Sequence, residues 1–183
     1  LAGISFMGGG AGEGNVTAAA EFNVWADPEA AAVVVGARCP VLMSGLDVTR
    51  TYLADRDLSA RVRALANPVA SFVADLFEHE LDRFGSYATS VEAPPIHDPV
   101  ALLAVTHPHL VATRRTPILV ETGGTHSRGA TIVDRRLATR EGRPPGAATT
   151  AWVHGLDTGA AREVLVDSLD GWGSDAVGGP GRA

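Results

Sequence analysis

Residues 4–46, ISFMGGGAGEGNVTAAAEFNVWADPEAAAVVVGARCPVLMSGL, decide the fold of this chain. They open with a short apolar run that ends at Gly8 and enters a glycine-rich segment, which is typical of a buried strand running into a loop. Asp27 and Pro28 then begin a predicted helix, as its N-cap and its first helical residue. The apolar run at 40–46 predicts a second buried strand. This order is that of a βαβ unit, so we predict an α/β fold with an open, mostly parallel sheet and flanking helices.

The remaining sequence adds further helices and strands to this unit. Amphipathic or capped segments predict helices, and apolar segments bounded by turn residues predict strands. Helices are predicted at 51–66, 68–84, 97–107 and 157–172, and strands at 110–122, 128–136 and 150–156, the first two strands as a hairpin-like pair. Residues 138–149 have the composition of a loop. One domain is predicted for residues 1–172, and residues 173–183 are predicted to be a disordered tail.

Composition and charge exclude several classes of protein. The chain has 183 residues, with 21 acidic residues against 15 basic ones, all of them arginine, and a formal net charge of −6. An acidic chain without a cluster of cations is a poor candidate for nucleic-acid binding. The lack of lysine excludes a Walker A phosphate loop, and a single cysteine excludes an internal disulfide and a four-cysteine zinc site. No apolar stretch approaches the ~20 residues of a membrane helix and no secretion leader is recognised, so we expect a cytoplasmic protein without a membrane partner.

Two groups of polar residues stand out beside the predicted elements. Asn15, Glu21 and Asn23 follow the glycine run, and amide and carboxylate groups of this kind can bind the hydroxyls of a sugar. His97 and Asp98 lie between prolines, and they offer a proton donor near neutral pH beside a hard oxygen ligand for a cation. A sugar-binding group, a metal ligand and a proton donor together suggest hydrolysis at an anomeric carbon.

The predicted parallel sheet also indicates where such a site lies. Ligands of open α/β sheets bind at the carboxyl ends of the strands. Residues 7–15 and 45–49 each follow or end a predicted strand, so we expect both segments at the same edge of the sheet.

Four blocks of the sequence resemble the inosine-uridine preferring nucleoside hydrolases, the nucleoside N-ribohydrolase family. These blocks are FMGGGAGEGNVTAAAEFNVWADPEAA (6–31), VLMSGLDVT (41–49), PPIHDPVALLAV (94–105) and VETGGTHSRGATIVD (120–134). Their order and separation match the carboxyl-terminal half of that family. The resemblance therefore implies that residues 1–172 form the carboxyl-terminal part of a single nucleoside hydrolase domain, without its amino-terminal half. It implies calcium-assisted hydrolysis of ribonucleosides to free base and ribose, by a homodimer or homotetramer.

The resemblance implies that four residues contact the nucleoside. Asn15, Glu21 and Asn23 would hold ribose hydroxyls, and Met7 would lie against the sugar or the base. Other interpretations stay open from residue type alone, because asparagines are common turn formers and most glutamates are exposed on the surface. The glycine run is likewise compatible with an ordinary loop.

The resemblance also implies a metal ligand and an acid. Asp98 would bind Ca²⁺, and His97 would protonate the leaving group or at least contact the base. The alternatives are a buried histidine bonded to the backbone and an aspartate that only caps the helix after it. The family's aspartate-rich signature, which supplies most calcium ligands, does not occur in this sequence. We expect an upstream portion to complete the hydrolase, which leaves open whether this stretch alone is active. The competing hypothesis is a non-catalytic ribose-binding or oligomerisation module that has lost the metal site.

Overall fold

The computed structural model describes residues 1–84, 92–135 and 150–172. The strands are β1 (Ile4–Met7), β2 (Val41–Ser44), β3 (Val111–Arg115), β4 (Ile118–Val120), β5 (Thr131–Val133) and β6 (Thr150–Leu156). The helices are α1 (Phe22–Ala26), α2 (Pro28–Val35), α3 (Leu46–Thr49), α4 (Arg56–Ala64), α5 (Pro68–Phe84), α6 (Asp98–Thr106) and α7 (Thr158–Asp170), with a short 3₁₀ turn at Pro108–Leu110. No helix within these ranges is long and apolar enough to span a membrane.

The main sheet has four strands in the order β1-β2-β6-β3. β1 pairs parallel with β2, β2 pairs parallel with β6, and only β3 runs antiparallel to its neighbour β6. The predicted α/β class with a mostly parallel sheet is therefore confirmed. Met7 is in register with Ser44, and Ser44 with Val153, so the first two parallel strands end at the same edge of the sheet.

β2 has strands on both sides and carries the centre of the core. Met43 is completely buried, and it packs with Val35, Ile118 and Trp152, against which Phe6 also lies. Val35 comes from α2 and Trp152 from β6, so the core joins the βαβ unit to the later strands. Burial of large apolar side chains from several elements is the main favourable contribution to stability in such a layered fold.

The chain forms two compact units. The first consists of Leu1–Tyr52 and Ile96–Leu156, and it contains both sheets together with α1, α2, α3 and α6. The second consists of Leu53–Pro95 and Asp157–Ala183, and it contains α4, α5 and α7. The single domain expected for residues 1–172 stays a prediction.

In the second unit, polar side chains fix the helix ends. Asp55 caps α4 by accepting from Leu58 N, and its other carboxylate oxygen accepts from the guanidinium of Arg162 on α7. Asn67 is buried, accepts from Ala70 N at 2.8 Å and donates to the carbonyl of Leu169 at 3.0 Å. The predicted disordered tail and the predicted loop at 138–149 lie outside the described residues.

Two predicted boundaries were wrong, each for a local reason, while the predicted hairpin-like pair is confirmed in part. The helix predicted from residue 51 begins at Arg56, because Ala54 N bonds to Pro94 O and Asp55 is the cap. The strand predicted over 110–122 is divided into β3 and β4 at Pro117, since proline has no N–H to donate to a ladder. The predicted hairpin-like pair is formed by β4 and β5 alone.

Candidate active site

Side chains from distant segments hold the glycine loop that follows β1. Three consecutive backbone N–H groups of this loop donate to side chains: Gly9 to Glu21 at 2.9 Å, Gly10 to Thr131 at 2.8 Å and Ala11 to Asp47 at 2.8 Å. Because these donors are used within the protein, the loop does not present them to a phosphate. Its role is to place the residues around it.

Two glycines of this region are required by close packing. Gly9 has φ +64°, and a Cβ at this position would lie 2.5 Å from the Cγ2 of Thr131. A Cβ on Gly45 would lie 2.7 Å from the Cα of Gly10. A larger residue at Gly9 would therefore push the glycine loop away from Thr131 of β5, and one at Gly45 would separate the loops that follow β1 and β2.

Glu21 is a buried acid at the centre of these contacts, with only 3% of its surface exposed. It is the N-cap of α1, where its carboxylate accepts from Asn23 N at 2.9 Å and from Val24 N at 3.2 Å, in addition to Gly9 N. The interpretation of Glu21 as a surface acid was therefore wrong. A carboxylate accepts about four hydrogen bonds, so one acceptor position remains, on Oε1.

Asn15 and Asn23 each use one end of the side-chain amide to hold the loop. Asn15 Oδ1 accepts from Phe22 N at 2.9 Å, and Asn23 Nδ2 donates to the carbonyl of Met7 at 3.2 Å. Asn23 Nδ2 also lies 3.3 Å from the sulfur of Met7. No hydrogen bond within the described ranges uses Asn15 Nδ2 or Asn23 Oδ1. Each of these exposed side chains thus makes one structural hydrogen bond, as expected of turn formers. Asn15 keeps its Nδ2 as a donor, and Asn23 keeps its Oδ1 as an acceptor.

The loops after β1 and β2 lie at the same edge of the sheet, as predicted. Leu46 N donates to Gly9 O at 2.8 Å, and Gly8 N donates to Ser44 O at 3.1 Å. The contacts just described join Met7, Asn15, Glu21 and Asn23 into one cluster beside these loops, which we call the polar cluster.

His97 is half-buried and bonds to a side chain of the loop after β2. Its Nδ1 lies 2.7 Å from the hydroxyl oxygen of Thr49. Burial lowers the pKa of His97, while the negative charges of Asp98 and Glu21 act to raise it and the positive charge of Arg50 acts to lower it. Thr49 lies in the loop after β2, which bonds to the loop after β1, so this contact places His97 beside the same loops as the polar cluster. The alternative of a buried histidine bonded to the backbone was wrong.

Asp98 is exposed and is the first residue of α6. The N-cap of this helix is His97, and no side chain caps it, so the alternative in which Asp98 serves only as a cap was wrong. Its carboxylate has no hydrogen-bond or ion-pair partner in the part of the chain that the structure describes. Both oxygens are thus able to bind another group.

The described residues do not complete a calcium site. Ca²⁺ takes 6–8 oxygen ligands, and within residues 1–84, 92–135 and 150–172 no group of three or more His, Cys, Asp or Glu side chains could hold a metal ion. Asp98 is the acid of the predicted site that has free oxygens to offer, because Glu21 is largely occupied by backbone donors. Any metal at this site needs ligands besides those present here.

Asp47 and Thr49 support the site and were not singled out from the sequence. Asp47 accepts from Ala11 N and from the indole Nε1 of Trp152, so it ties the glycine loop to β6. Thr49 bonds His97. Both residues lie in the 45–49 segment that was expected at the edge of the sheet, and this placement is the signal that could have found them.

Comparison with known proteins extends these observations. A model of the family "inosine-uridine preferring nucleoside hydrolase" matches residues 1–163. The pyrimidine-specific ribonucleoside hydrolase RihA of Shewanella woodyi is 42% identical over 133 residues, which are 72% of this chain and 42% of that protein. RihA of Escherichia coli O8 is 40% identical over 147 residues, or 80% of this chain and 47% of that protein.

Solved structures of nucleoside hydrolases share the fold of this chain, and the match again covers about half of their length. A purine-preferring ribonucleoside hydrolase from Gardnerella vaginalis is similar with a TM-score of 0.80 and 28% identity, and the match covers 92% of this chain and 52% of that one. The chain spans about half the length of the relatives it matches. Because the family model covers residues 1–163 of 183, the chain belongs to the inosine-uridine preferring nucleoside hydrolase family.

Proposed function

We propose that this chain provides the ribose-binding and leaving-group side of a ribonucleoside hydrolase, which cleaves the N-glycosidic bond to give free base and ribose. The observation that carries the proposal is the polar cluster, in which Asn23 bonds to the end of β1, Glu21 to the loop after it and Asn15 to the start of α1. Membership of the nucleoside hydrolase family supports the same reaction.

In this proposal the polar cluster orients the sugar. The remaining donor on Asn15 and the remaining acceptors on Glu21 and Asn23 bind ribose hydroxyls, which accept and donate hydrogen bonds. Met7 lies against the sugar or the base, next to Asn23. Because each polar side chain is also bonded to the backbone, the sugar meets groups that are already in position. Such fixed orientation lowers the barrier by reducing the entropy lost on reaching the transition state.

His97 is proposed as the leaving-group acid, or at least as a contact to the base. As the bond between C1′ and the base nitrogen breaks, an imidazolium would give its Nε2 proton to the departing base and be left neutral with its hydrogen on Nδ1. A neutral His97 with its hydrogen on Nε2 would instead keep the proton and stabilise the base by donating a hydrogen bond to it. Burial lowers the pKa of His97, so the cationic form is a stronger acid, and the charges of Asp98 and Glu21 limit this effect. General acid catalysis of this type contributes roughly 10²–10⁴-fold to a rate.

We propose Ca²⁺ as the metal and Asp98 as one of its ligands, because a carboxylate suits a hard cation and the sequence offers no cluster of cysteine and histidine. The remaining ligands would come from residues other than those that the structure describes. Since the described residues do not form the complete site, no step of the reaction is assigned here to the metal.

The substrate is proposed as a ribonucleoside, in a cytoplasmic homodimer or homotetramer with no nucleic-acid or membrane partner. The curated relatives named above are described as pyrimidine-specific, and the Gardnerella vaginalis enzyme as purine-preferring. The pyrimidine-specific relatives have the higher sequence identity, at 40–42% against 28%, which makes uridine and cytidine the first substrates to test.

One observation favours the second candidate, a non-catalytic ribose-binding or oligomerisation module. This observation is that no group of metal-binding side chains occurs among the described residues. Such a module would bind ribose through the polar cluster without releasing a base. It is distinguished from the hydrolase by measuring binding and turnover on the same preparation.

The test is release of free base from uridine, cytidine, inosine and guanosine, with and without a calcium chelator. The assay is run on this chain and on a version extended upstream along its reading frame. The hydrolase proposal expects the extended version to release base from at least one nucleoside, and the chelator to abolish the release. If the extended version binds ribose but releases base from none, the module is the correct assignment.

A further inference from the structure

We propose that Thr49 is a positioning residue, whose hydroxyl donates a hydrogen bond to Nδ1 of His97 and thereby holds the neutral imidazole in the form that carries its hydrogen on Nε2. The consequence for catalysis rests on the proposed function in its second form, in which the Nε2–H of the neutral His97 donates a hydrogen bond to the leaving base. The hydrogen bond and the imidazole form are properties of this chain alone, so they are tested separately.

Burial and a fixed backbone hold the Thr49 hydroxyl against the ring of His97. Its side chain is completely buried, and its hydroxyl oxygen lies 2.7 Å from His97 Nδ1. Its backbone is fixed at the end of α3, where Thr49 N donates to Gly45 O at 3.0 Å and Tyr52 N donates to Thr49 O at 3.1 Å. The branched side chain of threonine is also stiff about χ1, so the hydroxyl is held against the ring.

The direction of the bond follows from counting donors and acceptors. A hydroxyl has one hydrogen to donate, and a neutral imidazole has one nitrogen that donates and one that accepts. No other hydrogen bond within the described residues uses the Thr49 hydroxyl. If Nδ1 carried the hydrogen and donated to Thr49, the hydroxyl hydrogen would be buried without an acceptor, which is costly. If Thr49 donates, both groups are satisfied and the imidazole hydrogen is on Nε2.

With Nδ1 bonded to Thr49, the Nε2–H on the opposite side of the ring is left to donate to a ligand. Nε2 has no hydrogen-bond partner among the described residues, and the ring is half-buried. The backbone of His97 is fixed as well, because it is the N-cap residue of α6 and Val100 N donates to its carbonyl at 3.2 Å. Thr49 and the start of α6 together set the direction in which Nε2–H points. Thr49 does not itself contact the substrate in this account.

The test compares Thr49→Val, which removes the hydroxyl at nearly constant volume, with Thr49→Ser, which keeps it. Thr51→Val is the matched control, because the Thr51 hydroxyl donates to Val48 O at 2.7 Å and has no bond to His97 in the described part of the chain. Long-range ¹H–¹⁵N spectra of this chain are recorded at a pH about two units above the ordinary histidine pKa of about 6.5. In the unmodified chain and in Thr49→Ser, His97 is expected to be in the Nε2–H form. In Thr49→Val, both neutral forms are expected, while Thr51→Val leaves the spectrum unchanged.

A dominant Nδ1–H form in the unmodified chain overturns the proposal, even if Thr49→Val fails to fold. An unchanged His97 spectrum in a folded Thr49→Val variant overturns it as well.

The kinetic part uses the upstream-extended version. There Thr49→Val is expected to lower kcat about tenfold or more with little change in KM, and Thr49→Ser to recover most of it. A nitrophenyl riboside releases nitrophenolate, a good leaving group that needs little stabilisation. Its kcat is therefore expected to be nearly the same in the unmodified protein, Thr49→Val and Thr49→Ser. Equal losses for both substrates overturn the positioning role. If no nucleoside is hydrolysed but the spectra are as expected, the proposed function fails and the hydrogen bond stands.

Discussion

The carboxylate of Glu21 accepts a hydrogen bond of 2.9 Å from the backbone N–H of Gly9, and this bond fastens the loop after β1 to the start of α1. The same carboxylate accepts from the N–H groups of Asn23 and Val24. A single buried acid therefore positions the loop, the helix and the neighbouring amide of the polar cluster. Among the described residues three donors reach this carboxylate, which leaves one acceptor position on Oε1.

Glu21→Gln is expected to lower both stability and substrate affinity. The new NH₂ group would face backbone donors in place of an acceptor, and an unsatisfied buried donor costs about 1–3 kcal/mol. Urea unfolding measures the change in the free energy of unfolding. Glu13→Gln is the control, because Glu13 is exposed. Equal stability of the two variants would show that Glu21 does not fasten the loop.

Asp47→Asn is expected to loosen the glycine loop from β6. An asparagine can accept with only one end of its side chain, so either Ala11 N or Trp152 Nε1 loses its acceptor. We expect a loss of about 1–2 kcal/mol in the free energy of unfolding, together with a change in tryptophan fluorescence. Asp170→Asn, at an exposed position, provides the matched control. If both variants unfold at the same urea concentration, Asp47 is not a support of the loop.

The ion pair of Asp55 with Arg162 is expected to make stability depend on pH. Partial burial acts to raise the pKa of Asp55, but the hydrogen bonds from Arg162 and Leu58 N outweigh it and lower the pKa below its ordinary value. A lowered pKa in the folded state contributes stability above the unfolded value of about 3.9, and the contribution is lost as pH falls through the folded pKa. The unmodified chain should therefore exceed Asp55→Asn in stability at neutral pH, and the difference should vanish progressively below about pH 4.

Urea unfolding of both proteins over a series of pH values measures this difference. If the two proteins differ by the same free energy of unfolding at neutral pH and in acid, the ion pair is not the source of the difference. The magnitude is expected to be modest, since the side chains of Arg162 and Asp55 keep 22% and 38% of their surfaces exposed.

His97→Ala, in an active upstream-extended version, is expected to slow turnover mainly for bases that need protonation to leave. The expected loss is roughly 10²–10⁴-fold, as for removal of a general acid. Rates with nucleosides and with a nitrophenyl riboside are compared, because the latter has a good leaving group. His79→Ala, on the exposed face of α5, is the control. Equal losses for the two kinds of substrate would contradict the role of acid.

Local sequence patterns predicted the βαβ unit because its signals are short-range. The cap at Asp27 and the proline at position 28 define the start of α2, and the apolar runs define β1 and β2. The five-residue α1 was not predicted, since it is too short for a helical periodicity and its cap is a glutamate. The antiparallel pairing of β3 with β6 also has no local signal, because it joins residues far apart in the sequence, such as Val111 and Leu156, which are 45 positions apart.

The polar residues of the candidate site were recognisable as types, but their partners were not. The bond between Thr49 and His97 joins residues 48 positions apart. Burial of Glu21 likewise depends on the folding of the glycine loop over it, and a lone glutamate in a sequence predicts exposure. Only the tertiary structure shows that its oxygens are largely used by the backbone.

Asn15, Glu21, Asn23 and His97 are proposed to face one bound nucleoside. A crystal structure of the upstream-extended protein with an iminoribitol, a mimic of the ribosyl group, would show whether they do. We expect the hydroxyls of the mimic to donate hydrogen bonds to Glu21 Oε1 and Asn23 Oδ1 and to accept one from Asn15 Nδ2, with His97 Nε2 on the side of the missing base. A mimic bound in full occupancy away from these four side chains would contradict it.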